Sequence, residues 1–421
     1  MRRISRSALT SVGVLSLALG AIHLFVDGLG SSVISLQAVI RDQTGAEPAL
    51  LSLLVAVAFS SSSLLQPLGA RSASRFGDGR VAIIGSALAA AGYGLLPAVT
   101  QPGHAIAAVA VGGIGSALFH PAAGALAVRS APEGQESLPL AVFSAVGMAG
   151  SALVPVAVLS GVSTFGGAAA VPFAVPLVAV TVALLLSQLM RARPSRNRPA
   201  SRTIERRGQA PVVVPVLAAA LLALIGVTVM ASAPLLLADK VGSTNPLLGY
   251  SLAAYGTAAA VGGVLLALWV RHTALRLVML SASTAGILAS LVVPHLPPDF
   301  VPAAMAVAGV GLSGSLPLLV TTARRNDETS AGPAVARILG LASGLGSAGY
   351  AGVGLLHSML GYGMVLTVTT AVAGGVAFII LTRLKGSAST ATIQTALSIC
   401  PCGGCACSTL RNEPEVSAHL T

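Results

Sequence analysis

The sequence predicts an all-α polytopic membrane protein with twelve transmembrane helices in two six-helix pseudo-repeats. Three observations carry this. Only 9% of the 421 residues are charged, 54% are hydrophobic, and the mean hydropathy is +0.87; soluble domains carry about 25% charged residues. Apolar stretches recur along the chain at lengths that cross a bilayer, which takes about 20 residues. Landmarks of the first half also return in the second at one constant spacing.

The stretches fall near 11–40, 49–70, 81–99, 104–128, 138–160 and 168–190, then near 211–238, 247–270, 277–294, 301–322, 334–357 and 361–383. Arg2, Arg3 and Arg6 precede the first, as they would in a signal peptide, but its apolar run is too long and many spans follow. The chain divides accordingly into an N-terminal bundle (1–190), a linker (191–210), a C-terminal bundle (211–384) and a tail (385–421). The linker region, "RARPSRNRPASRTIERRGQ", holds seven Arg against one Glu and reads as a flexible, solvated connection. Anionic lipid is its alternative partner.

An even number of spans places both termini on one side. Of the 24 Lys and Arg residues, all but Arg41 and Lys240 fall in the loops and termini of that side. The positive-inside rule makes it the cytoplasm, so the expectation is a multi-pass protein of the plasma (inner) membrane. The net charge of +11 could suggest nucleic acid, but the cations lie in short runs between spans and form no extended basic face. Nucleic acid is therefore not an expected partner; the bilayer is.

Gly115, Pro121, Arg129, Gly150 and Ser151 correspond to Gly311, Pro317, Arg325, Gly346 and Ser347, each pair 196 positions apart without a gap. A duplicated six-helix unit of this kind is the mark of a parallel-repeat transporter. Such transporters bind substrate near the bilayer midplane, between halves that rock against each other.

"PLGARSASRFG" (Pro67–Gly77) resembles the signature loop of the major facilitator superfamily, with Pro67, Arg75 and Gly77 as its conformational residues. "HLFVD" (His23–Asp27), "SSLLQP" (Ser62–Pro67) and "GSALFHPAAG" (Gly115–Gly124) together resemble the fosmidomycin-resistance family of drug exporters. "FSAVGMAGSALVP" (Phe143–Pro155) continues in register. The resemblance is dense over the first half and diffuse over the second. It implies a major facilitator fold and proton-coupled export of a small molecule, with spans one and four lining the central cavity. The chain departs from the family pattern where Ser74 replaces an acid, Ala70 a Gly and Ala122 a Glu. The polar positions of span five are Ser144 and Ala149. These changes remove groups that could form gating ion pairs or touch a polar substrate.

His23 and Asp27, four residues apart, share one helix face. An Asp within the bilayer costs about 2.5–3.5 kcal/mol on insertion scales, and such residues mark ion or substrate paths. His23 lies roughly 18 Å along span one, and His120 roughly 12 Å from the cytoplasmic end of span four, so the three groups can meet. The functional expectation is that Asp27 takes up and releases a proton while His23 and His120 tune it. The alternative is a hydrogen bond that only fixes one helix against another. For His120, the adjacent Pro121 suggests a helix-distorting role.

Gln37, Gln66 and Ser144 are further candidates for the path, although Gln37 and Gln66 could instead bond helix to helix. Arg129 and Arg325 read as interfacial anchors. Arg337 reads as a snorkelling cation or a counter-charge for an anionic substrate, and His357 as an interfacial residue. "VGGIGS" lies within a helix and matches no P-loop, so packing explains it better than phosphate binding. No nucleophile–base–orienter set can be assembled, so the chain does not read as an enzyme.

All four cysteines, Cys400, Cys402, Cys405 and Cys407, lie in "CPCGGCAC". On the cytoplasmic side they stay reduced, and clustered thiolates suit soft metals. Their spacing is not that of paired zinc knuckles, which leaves a ligand-free tail as the alternative. No other cofactor is expected. The functional reading is export of a small molecule against proton entry. Soft-metal efflux assisted by the tail and a transporter-like membrane sensor are the alternatives.

Overall fold

A computed structural model describes residues 14–129, 137–166, 213–269, 275–316, 318–319 and 331–383. The predicted span at 168–190, the linker, Arg2, Arg3 and Arg6, Pro317, Arg325, the side chain of Arg337 and the four tail cysteines lie outside the described residues.

Each of the other predicted spans coincides with helix. The first is α1 (Val14–Ser35), extended by the short α2 (Gln37–Thr44). The second is α3 (Pro48–Leu64), which passes into α4 (Gln66–Phe76) through a 46° bend. Then come α5 (Asp78–Gly94), α6 (Pro102–Arg129) and α7 (Ser137–Phe165). The second half holds α8 (Val213–Val241), α9 (Pro246–Trp269), α10 (Leu275–Val292), α11 (Val301–Ala308) and α12 (Ala331–Arg383). The last is two predicted spans run together, with non-helical backbone at Gly361 (φ 72°, ψ 163°) between them. Among the described residues, eight helices are long and apolar enough to cross a membrane, counting α12 once, and the bent α3–α4 pair adds a ninth.

Local sequence explains the boundaries. Proline stands in the first turn of α3 and α4, where its missing N–H costs nothing. Gly77, at φ 90°, ends α4 and turns the chain into α5. Leu153, Leu265 and Val372 are more than half exposed, as hydrocarbon-facing side chains are when backbone polarity is satisfied within each helix.

The two halves repeat their packing as well as their sequence. A Cβ on Gly115 would strike the backbone of Gly85 and Ala89; one on Gly311 would strike the backbone of Ala282 and Gly286. Gly150 presses on Leu24 as Gly346 presses on Ala223 and Leu224. Small residues let helix backbones approach this closely where lipid supplies no hydrophobic drive.

Between the halves, polar contacts gather toward the Arg41 end of the bundle. Arg41 Nη1 lies 2.7 Å from Asp239 Oδ1. Gln37 Nε2 donates to the Ala231 carbonyl at 3.2 Å, and Ser52 Oγ meets His357 Nδ1 at 2.9 Å. His357 is therefore corrected from an interfacial residue to a buried one, packed beside Tyr350 and Tyr362. At the opposite end Arg129 pairs with Asp78, so its anchoring has an acidic partner just past the signature loop, where Ser74 had removed one.

Candidate functional site

The site forms where α1, α6 and α7 converge. On α1, His23 and Asp27 stand one turn apart, and His23 Nε2 lies 3.0 Å from Asp27 Oδ2. From α6, His120 Nε2 reaches Asp27 Oδ1 at 2.8 Å. One carboxylate thus sits between two imidazoles, each facing a different oxygen. His23 keeps 6% of its side-chain surface exposed, while Asp27 and His120 each keep 24%.

Small residues on α7 make room for this. A Cβ on Gly147 would run into the His23 ring, and one on Gly150 into the Leu24 carbonyl. The ring lies flat against Phe143, with centroids 4.0 Å apart and planes at 17°, and meets His120 edge-on at 4.9 Å. The "FSAVGMAG" stretch therefore supplies a stacking surface and a slot for the ring. Phe119 closes the cluster from α6.

The other ring nitrogens fix the protons. His23 Nδ1 lies 2.8 Å from the Phe143 carbonyl, and His120 Nδ1 2.8 Å from the Ser116 carbonyl. A carbonyl only accepts, so each Nδ1 carries its hydrogen and donates it. Both Nε2 atoms then point at Asp27 with their protonation left open. His120 makes an aligned hydrogen bond there. His23 Nε2 reaches ion-pair distance without an aligned hydrogen bond.

The three ligand atoms lie within 4.8 Å of one another, a spacing that a metal ion could also use. They are imidazole and carboxylate, not the soft thiolates of the tail.

Beside the cluster is a cavity of about 230 Å³, with Asp27 and His120 in its wall. Of the further candidates, Gln66 lines it, while Gln37 and Ser144 are not among its lining residues. Gln37 is fully buried and bonds the Ile34 and Ala231 carbonyls, the helix-to-helix alternative. Pro121 does not break its helix, since α6 continues to Arg129. The helical N–H it lacks would have served Ala117, whose carbonyl instead faces Gly69 of α4 at close range. Pro67 opens α4, Arg75 is exposed with its guanidinium 5.2 Å from the Phe76 ring centre, and Gly77 closes the helix.

The sequence reading did not single out Asp239, Asp78 or the Ser52–His357 pair. In the sequence Asp239 stands beside Lys240 and Asp78 directly after Gly77 of the signature loop, and those neighbours are the available signal. Arg41 lies outside the spans; burial pulls its pKa down, but hydrogen bonds and charges from Asp239 and Asp42 more than offset this and leave it raised.

The family model described as Major Facilitator Superfamily matches residues 17–351. No curated protein matches the sequence. Among solved structures, a POT family transporter in complex with 5-aminolevulinic acid aligns with TM-score 0.71 at 12% identity, covering 89% of this chain and 96% of that one. A bacterial homolog of the human lysosomal transporter Spinster, inward-facing and occupied, gives 0.66 at 16%, covering 91% and 96%. The nucleoside transporter NupG gives 0.66 at 12%, covering 89% and 100%.

Proposed function

The chain belongs to the major facilitator superfamily, and we propose that it exports a small molecule across the plasma membrane in exchange for protons, with Asp27, His23 and His120 as the coupling site. The observation that carries this is the commitment of both Nδ1 hydrogens to backbone carbonyls. With those hydrogens fixed, the protons that can come and go lie between the two Nε2 atoms and one carboxylate.

One extra proton fits the aligned His120–Asp27 bond and leaves the cluster neutral overall. A second can settle on His23 Nε2, which has no hydrogen bond of its own, and makes the cluster cationic. Losing both leaves two lone pairs facing a carboxylate, which is strongly disfavoured away from bulk water. The preferred occupancy therefore depends on how much water reaches the site, and alternating access changes exactly that variable. Asp27 and His120 face the cavity, so they can exchange protons through it.

With the termini in the cytoplasm, as the positive-inside count indicates, the Arg41 end is extracytoplasmic. The contacts from Arg41 to Asp239, Gln37 to Ala231 and Ser52 to His357 then seal the outer side. Breaking them while contacts form at the other end would complete the cycle. Export, rather than uptake, follows from the resemblance to the fosmidomycin-resistance family.

The test uses everted membrane vesicles holding a pH gradient reported by a quenched dye. Compounds come from a tolerance screen in an exporter-deleted host. Addition of a substrate should relieve the quench with wild-type protein, and Asp27→Asn should abolish the response while remaining folded and inserted. Full substrate-driven dequenching by Asp27→Asn would overturn the coupling role.

A further inference from the structure

We propose that the cavity beside the cluster binds a small, uncharged, polyhydroxylated molecule; this names the substrate class for the transport reading above and rests on it. The inference comes from what the cavity wall offers. Its carboxylate and imidazole, Asp27 and His120, are hydrogen-bonded to each other. While the cluster is singly protonated and neutral overall, a charged ligand finds no unpaired opposite charge and would have to break that bond to obtain one. Leaving a paired, half-buried charge alone is costly. An uncharged ligand leaves it intact.

The rest of the polar wall is hydroxyl and amide. The side chains of Ser31, Ser63, Gln66, Tyr93 and Ser151 line the cavity and have no hydrogen-bond partner among the described residues. They come from five different elements, α1, α3, α4, α5 and α7, so they surround the space and do not form a stripe along one helix. Each hydroxyl both donates and accepts, and the amide does one with each end. Ligand hydroxyls, which also do both, can satisfy them without a fixed polarity. Val26, Ala58 and Phe59 supply an apolar wall suited to the C–H face of a sugar or polyol.

Size points the same way. The cavity volume is about 230 Å³. Pockets for drug-sized ligands run to about 300–1,000 Å³. A monosaccharide or short polyol matches this space, and the wall rewards its hydroxyls.

The test is equilibrium binding to the full-length protein in lipid nanodiscs at a single pH, read by calorimetry and by the shift in unfolding temperature. The neutral probes are ribose, xylitol and glucose; the charged ones are methylphosphonate and tetramethylammonium. At least one neutral probe should bind saturably and stabilise the protein, and neither charged probe should. Ser63→Ala and Ser151→Ala should each weaken that binding about three- to tenfold, the range for one neutral hydrogen bond. Ser283→Ala, buried in the other half against Ser315, should not change it. Gln66→Leu, at an exposed position, replaces any serine variant that unfolds. The class is overturned if no neutral probe binds, if a charged probe binds in their place, or if the cavity variants leave affinity unchanged. The assay imposes no gradient, so a wrong probe class with intact coupling through Asp27 would overturn this inference alone.

Discussion

The two halves of the molecule share a packing plan and differ in chemistry. Gly115 and Gly311 play the same part, as do Gly150 and Gly346. Yet the position 196 residues beyond His120 is Leu316, and with Gly346 against Ala223 and Leu224 as Gly150 is against Leu24, the turn of α8 matching Asp27 holds Gly226 and Val227. Among its described residues, the second half places Tyr255 against Ser313 at 2.8 Å and Ser283 against Ser315 at 3.3 Å, both neutral pairs. Its counterpart of α6 also departs from α-geometry, running as a π-helix over Gly309–Ser313. Duplication supplied two equivalent scaffolds, and among the described residues the carboxylate–imidazole cluster belongs to one, the second contributing the buried His357 where it meets Ser52. A charge within the bilayer is costly, so the proposed proton site places that cost in one half and leaves the other free of a second carboxylate among its described membrane-embedded residues.

Copying the apolar half onto the loaded one should have the largest effect. His120→Leu reproduces Leu316 and removes the aligned partner of Asp27. Breaking a buried pair costs about 3–5 kcal/mol when the remaining charge stays; Asp27 is partly exposed, so the loss should fall at or below the lower end. Gradient-driven export should disappear. Asp27→Asn/His120→Leu should recover most of the unfolding temperature and none of the transport. If the single variant keeps export, the asymmetry between the halves has no part in coupling.

How much of this was legible in the sequence depends on the range of the interaction. Spans, repeat and the His23–Asp27 face follow from hydropathy and from the four-residue turn, both local. The nearness of His120 follows from matching depths along spans one and four, but one carboxylate divided between two imidazoles and the seat of the His23 ring do not. His120 is 93 residues from Asp27, and the Phe143 carbonyl is 120 residues from His23, so these contacts depend on how closely α1 approaches α6 and α7. Gly147 and Gly150 set the distance to α7, and in the sequence they looked only like small residues in a resembling motif. His357 was misread for the same reason. Its depth along the span suggested a headgroup contact, and only packing against Ser52 of the other half buries it. Pro121 sits within α6, which continues through it with the freed Ala117 carbonyl against Gly69.

Glycine variants sharpen the comparison at intermediate size. Gly150→Ala and Gly346→Ala should each cost about 1–3 kcal/mol by overpacking, because both force a Cβ into the facing helix. Both should destabilise, since this part of the plan is duplicated, and Gly150→Ala more so, because its Cβ falls closer to the facing backbone. Gly147→Ala should differ by displacing the His23 ring. It should alter the pH dependence of export more than it lowers the unfolding temperature, and Gly346→Ala should leave that pH profile in place. Identical pH profiles for the two would mean that His23 is only a packing residue.

The smallest effect on stability is expected where the halves touch through charge. Arg41 and Asp239 are 25% and 51% exposed, and pairs of that exposure contribute about 0–1 kcal/mol. Asp239→Asn should therefore barely move the unfolding temperature. This contact joins the halves, however, and is not internal to either, so its loss bears wholly on the balance between open and closed. Taking 0.5–1 kcal/mol from the closed side changes that balance about two- to fivefold. Spin labels placed across the Arg41 end would report the change as a larger fraction of long distances. High salt should produce part of the same shift in wild type and little in the variant. The exchange Arg41→Asp/Asp239→Arg should recover part of the wild-type distribution, because it restores opposite charges across the halves but puts a second carboxylate beside Asp42. An unchanged distance distribution in Asp239→Asn would leave the Gln37–Ala231 and Ser52–His357 contacts to hold that end alone.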